Sequence, residues 1–181
     1  IAVVAMASCS NEVDGIDNGN NGNVEENAVM QFRFSYGNSI VRAVGEAGLD
    51  SEQKFTSALL VVDYNDGTTP NVVKSIPRTD FTPISTEENP STNGKYYQST
   101  PFSVASGAVT AYVILNPTST ITSAVNNLDG KTTDVPTVLK GLELANGEGA
   151  TDGSFVMYGD GSETLRPDQT TPVTVAVNRI V

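Results

Sequence analysis

The chain has 181 residues, 38% of them hydrophobic and 17% charged, and a formal net charge of −11. That length suits one domain with a tail rather than two domains, and the acidity argues against nucleic acid or an anionic membrane face as a partner. With no His and a single Cys, the sequence excludes Ser-His-Asp and Cys-His catalysis, His-based metal sites, an intramolecular disulfide and a thiolate cluster.

The chain opens on the apolar run Ile1-Ala2-Val3-Val4-Ala5-Met6-Ala7-Ser8, and Cys9 follows at once. A short hydrophobic stretch ending in small residues is the core and cleavage region of an export signal, and it is too short to span a bilayer. Small residues just before a Cys also resemble the bacterial lipobox, with Met6 standing where Leu is commonest. Residues 1–9 are therefore expected to be the end of a lipoprotein signal, entered after its basic region, with Cys9 as the lipidation site. Residues 10–27 are rich in Asn, Gly, Asp and Glu; they bury too little apolar surface to offset ordering entropy and are expected to form a polar tether. An EF-hand is excluded there, because the twelfth position counted from Asp17 is Ala28 and not Glu.

Residues 28–36 alternate with period two: Met30, Phe32, Phe34 and Tyr36 share one face, and Gln31, Arg33 and Ser35 the other, which predicts a half-buried strand. Residues 58–64 are nearly all apolar and β-branched, predicting a strand buried on both faces, and Asp66-Gly67 supplies a turn. A short strand is expected over 72–76. Residues 77–101, rich in Pro, Thr, Ser and Asn, read as loops and edge strands, with Tyr96-Tyr97 near their end. Residues 109–115 predict a second strong strand closed by Asn116-Pro117. Helices follow over 119–127 and after Asp134, the latter with Pro136 in its first turn and Val135, Val138, Leu139 and Leu142 on one face. Glycines over 147–153 break that pattern, and strands are expected over 155–158 and 173–177. The chain stops at Val181 in mid-strand pattern, so it is expected to be cut at that end. Short strands between turn clusters predict a mainly β fold, a β-sandwich with one or two short helical insertions.

The order of these parts resembles the precursors of FimA/Mfa-type fimbrillins, the major fimbrial subunits of Bacteroidales. The resemblance is carried by the Cys9 motif, the tether and the first strand, then Asn38-Ser39-Ile40-Val41-Arg42-Ala43-Val44, Ala111-Tyr112-Val113-Ile114-Leu115-Asn116-Pro117, and Phe155-Val156-Met157-Tyr158 ahead of residues 175–181. It implies that residues 28–181 form an amino-terminal, transthyretin-like Greek-key sandwich, with a carboxyl-terminal domain lying beyond the sequence. It further implies a lipid anchor in the outer membrane through Cys9, and an Arg-specific protease that cuts between Arg42 and Ala43. Residues 28–42 would then be released, carrying the strand that bears Met30, Phe32 and Phe34, and other pilin subunits would be the partners in a homopolymer at the cell surface. Arg33 in mid-strand and Arg166 before Pro167 are poorer protease sites.

The alternative reading is a surface glycan-binding lipoprotein, for which Tyr96-Tyr97 is the candidate platform; the chain has no Trp. Glu87-Glu88 and Asp160-Gly161-Ser162-Glu163 offer carboxylates, but in turn-like, solvated contexts that give no reason for shifted acidity. Gly159-Asp160-Gly161 lacks the strand–helix setting of a nucleotide loop. The sequence implies no cofactor, no metal and no enzyme.

Overall fold

The computed structural model describes residues 25–36, 54–84, 96–145 and 155–179. Cys9, Arg42, Ala43, Glu87 and Glu88 lie outside them. Among the described residues the chain is mainly β, a mixed sheet curled into a sandwich. Its elements are β1 (Ala28–Tyr36), β2 (Ser57–Asp63), β3 (Val72–Pro77), β4 (Phe81–Ile84), β5 (Tyr96–Ser99), β6 (Phe102–Val104), β7 (Gly107–Leu115), α1 (Ser119–Asn126), α2 (Val135–Ala145), β8 (Met157–Leu165) and β9 (Thr170–Arg179). Hydrogen-bonded neighbours run β3-β2-β7-β8-β9-β1-β5-β4, with β6 also paired to β1.

Alternation decides which side chains meet. Ala58, Leu60 and Val62 of β2 and Val109, Ala111, Val113 and Leu115 of β7 face β1 across the main core. Leu59 and Val61, with Tyr112 and Ile114, point the other way into a second cluster roofed by the helices. This is why both strands read as continuous apolar runs: each face has its own cover. α1 begins on Thr118, whose hydroxyl accepts from the Ile121 amide at 3.3 Å, and it buries Ile121 and Val125. α2 buries Val135 and Leu139, and Asp134 just before it accepts from the Thr137 hydroxyl at 2.5 Å.

Two turns follow their sequence signals. Gly67 takes the left-handed conformation (φ 69°) that a side chain resists. Beside it the Thr69 hydroxyl and amide, with the Thr68 amide, hold the Asp66 carboxyl well below the usual carboxylate range. Asn116, also left-handed (φ 53°), ends β7. Its side chain accepts from the Thr56 amide at 2.9 Å and donates to the Lys54 and Phe155 carbonyls at 3.0 and 2.9 Å, tying three segments together.

The sequence places a strand over 155–158 and a solvated turn at Asp160–Glu163. β8 instead runs through both, paired with β7 from Met157 opposite Leu115 to Leu165 opposite Gly107. Asp160 and Glu163 are exposed strand residues. The two glycines explain the difference. β9 pairs with β8 only at Met157↔Arg179 and Tyr158↔Asn178, then passes across its face to reach β1. A Cβ on Gly159 would strike the Ala176 carbonyl oxygen and lie 2.8 Å from Val175 Cγ1; one on Gly161 would lie 2.6 Å from the Thr174 oxygen. Absent side chains at these alternate positions let one backbone cross another, so the Gly-Asp-Gly sequence is a packing device.

Gly159→Ala is expected to destabilise the fold by about 3 kcal/mol, at the upper end of overpacking costs, since the obstructing atoms are backbone. Gly161→Ala should cost somewhat less. Thermal denaturation checks both, and a melting temperature within about 1 °C of the parent for Gly159→Ala would contradict the crossing geometry.

Candidate functional site

β1 lies inside the sheet, and its two neighbours come from distant parts of the chain. On one side it runs parallel to β9, from Val29 opposite Thr170 to Tyr36 opposite Val177. On the other it is antiparallel to β5 and β6. Its start is fastened at both sides: the Val29 amide donates to the Gln169 carbonyl at 3.1 Å, and Asn27 accepts from the Ser106 amide at 2.9 Å. Asn27, which the sequence places in the tether, is thus held against the body.

The antiparallel side carries an interruption that sequence reasoning missed. Arg33 faces Gln98 and Phe34 faces Tyr97, but farther along Met30 faces Phe102, so one extra residue has entered the partner strand. Thr100 and Pro101 both lie opposite Gln31, which makes this a β-bulge. The Thr100 amide donates to the Asp80 carbonyl at 3.2 Å, and side chains satisfy other polar groups there. The Phe32 amide donates to the Ser99 hydroxyl at 3.1 Å, that hydroxyl donates to the Thr100 carbonyl at 2.9 Å, and Gln31 Nε2 donates to the Ser99 carbonyl at 3.3 Å. Pro101 fits here because an unpaired bulge residue needs no N–H.

Met30, Phe32 and Phe34, singled out from the sequence, have no exposed surface, and Ala28 and Tyr36 complete their row. The slot they fill is lined by rings from other elements. Phe34 lies 5.0 Å from Phe55, 5.4 Å from Phe81 and 5.3 Å from Tyr97, with the first two edge-on and the last stacked. Arg78, in the single 3-10 turn between β3 and β4, closes this end. Its guanidinium sits 4.8 Å from the Phe55 ring centre and 4.6 Å from that of Tyr97, and it donates to the Phe81 carbonyl at 3.0 Å. Phe55, Arg78 and Phe81 were not singled out in the sequence, and Tyr97 was read there only as part of a candidate sugar platform. The signal available for Tyr97 was alternation, because Tyr97 and Ser99 face inward while Tyr96 and Gln98 face outward.

That alternation also separates the candidate tyrosine platform. Tyr97 is buried in the core and Tyr96 is half-buried on the outer face, so the pair does not present two rings to one ligand. Nor is β5 an edge strand, since it lies between β1 and β4. The outer row of β1 is half-buried and, after Val29, polar, and Arg33 Nε donates to Gln98 Oε1 at 2.6 Å. Among the described residues no group of three or more His, Cys, Asp or Glu side chains is arranged to hold a metal ion, and no helix is long and apolar enough to cross a membrane.

Burial pushes the Tyr36 phenol far above its ordinary value, with Tyr97 adding to the shift and Arg78 opposing it. Burial likewise pushes Tyr64, whose hydroxyl donates to the Ala105 carbonyl at 3.2 Å, up to about 12. A phenol raised in the folded state stabilises the fold fully below its unfolded value near 10, and that contribution fades as pH rises through 12. Denaturant midpoints should therefore fall between pH 10 and 12, and Tyr64→Phe should flatten the fall; an identical slope in the variant would contradict the assignment. Phe34→Ala is expected to cost about 3–5 kcal/mol, whereas Arg33→Ala, on the opposite face, should cost about 1 kcal/mol or less. Chemical denaturation of both variants measures the contrast.

No protein-family model matches the chain, and no curated protein matches it. Solved structures do. A fimbrial assembly protein from Parabacteroides distasonis superposes with a TM-score of 0.55 at 18% identity, covering 83% of this chain and 52% of its own. A protein described as a putative cell adhesion protein from the same organism gives 0.52 at 14% identity, covering 84% of this chain and 40% of its own. The chain thus spans about half, or less, of the length of these neighbours. At such identities the likeness is one of architecture, and the chain has the fold of the FimA/Mfa-type fimbrillins.

Proposed function

We propose that this chain is the amino-terminal domain of a structural pilus subunit, and that β1 is the element exchanged between subunits during assembly. The observation that carries this reading is the position of β1: an inward apolar row, in the middle of a sheet, on the first strand of the fold. The fimbrial and cell-adhesion neighbours support the pilus role.

Burial of Met30, Phe32 and Phe34 contributes on the order of 5–8 kcal/mol, at roughly 1.5–3 kcal/mol per side chain. Whole-domain stability is about 5–15 kcal/mol. A cut between Arg42 and Ala43 leaves those contacts intact, so it does not by itself expel the strand. What it removes is the covalent link that holds β1 at a high effective concentration beside its slot. After the cut, a strand of another subunit competes with β1 on equal terms. It would gain backbone pairing from β9 and from β5 and β6, and apolar burial against Phe55, Phe81 and Tyr97.

In this reading the protein is exported as a lipoprotein anchored through Cys9, held at the outer membrane until processing, and carried into a fimbrium that supports adhesion. Its role is assembly rather than catalysis.

Mass spectrometry of the full-length protein from its native cell surface tests the sequence of events. A mature chain beginning at Ala43 is expected in high-mass assemblies, and Arg42→Ala should leave a lipidated, monomeric protein that begins at Cys9. Polymers built from the Arg42→Ala protein would overturn strand release.

A further inference from the structure

The edge strand β3 has a partner that is not a strand. β3 pairs with β2 on one side, and among the described residues its other side is an edge of the sheet. Such an edge presents outward N–H and C=O groups that recruit strands from other molecules. Here the Val73 amide, which faces outward, donates to Asp129 Oδ1 at 2.9 Å. Two residues earlier in the same outward row, the Asn71 amide donates to the Lys131 carbonyl at 2.8 Å. The Gly130 amide returns a bond to the Asn71 carbonyl at 2.9 Å, and the buried Asn71 side chain donates to the Thr133 carbonyl at 3.0 Å. At the far end of the row stands Pro77, which has no amide hydrogen. Alternation leaves Ser75 as the outward donor of β3 between Val73 and Pro77.

We infer that residues 129–133 are an edge guard: they occupy the outward backbone groups of Asn71 and the outward amide of Val73, at the head of β3, and so prevent a second copy of this chain from pairing with it. The partner excluded is another β3, and antiparallel pairing of two copies is the contact forestalled. The strand is suited to it, because Val72 and Val73 are half-buried and β-branched and Lys74 is its single charge. Lys74 moreover extends inward over the Phe102 ring, 5.1 Å from its centre, which takes it away from its usual role as an edge charge. Without the strap, Pro77 alone would stand against addition, and the Val73 and Ser75 amides would both be open to a second strand.

The test uses the whole chain with Arg42 uncut, so that strand exchange at β1 does not contribute. Asp129 is exposed, and Asp129→Ala removes the acceptor without entering the core. Hydrogen exchange at the Val73 amide should quicken by about tenfold or more, while the Lys74 amide, bonded to β2, is unchanged. Light scattering across a concentration series should then show dimers for Asp129→Ala but not for Asp129→Asn, which keeps an acceptor. Adding Ser75→Pro to Asp129→Ala should restore the monomer, since proline removes an outward donor without breaking the β2 ladder. A Val73 amide that stays protected in Asp129→Ala overturns the inference, as does a monomeric variant whose Val73 amide is exposed. Dimers that persist in the double variant also overturn it, because they would have formed elsewhere.

Discussion

The packing of β1 between β9 and the broken strand β5–β6 is the constraint on which the rest of this structure depends. Five inward residues of one strand fill the space between two sheets, and both flanking backbones are completed by it. The chain must first make β9, whose pairing partner in β1 lies more than a hundred residues away, before the sheet can close. Contacts of such sequence separation are entropically slow to form and reward the chain late. The fold therefore rests on its least local pairing.

That pairing is possible because of what is missing elsewhere. β9 must belong to both sheets, and it changes from one to the other by crossing β8 at Gly159 and Gly161. A residue with a side chain at either position would press on the β9 backbone and strain its pairing with β1. The bulge at Thr100-Pro101 does the corresponding work on the opposite flank, letting β5 and β6 follow β1 with one residue to spare. Curvature in this sandwich is thus set at two small places, by glycine on one side of β1 and by proline on the other.

Much of this was legible in the amino-acid sequence wherever a strand has a simple environment. β1 shows a clean period of two because one face is buried and the other is half-exposed, and β2 and β7 read as continuous runs because both faces are covered. The second helix announced itself through Asp134, Pro136 and a one-sided apolar row. The aromatic lining of the slot did not. Phe81 and Tyr97 sit in strands of four residues, where alternation is a weak signal, and Pro83 and Pro101 near them read as loop signals. The length of β8 was hidden for a different reason: glycine and charged residues suggest a turn, and only the crossing strand gives them a place in a sheet. Whatever concerns Cys9, Arg42 and Ala43 lies outside the described residues.

Edge and centre behave differently in this molecule, and the difference bears on where a foreign strand gains most. At β3 the outward groups of Asn71 and the Val73 amide are already used by the 129–133 segment, and the row ends in proline. At β4 the strand is four residues long and carries Pro83. A strand added at either edge finds few free partners and no apolar slot. At the β1 position it finds two backbone ladders, eight residues of them continuous along β9, and a row of pockets deep enough to bury three large side chains without exposure. The free energy of strand addition is therefore concentrated at the one position that is filled by the chain itself. In the assembly proposed above, association would be governed by the occupancy of β1 rather than by the edges of the sheet.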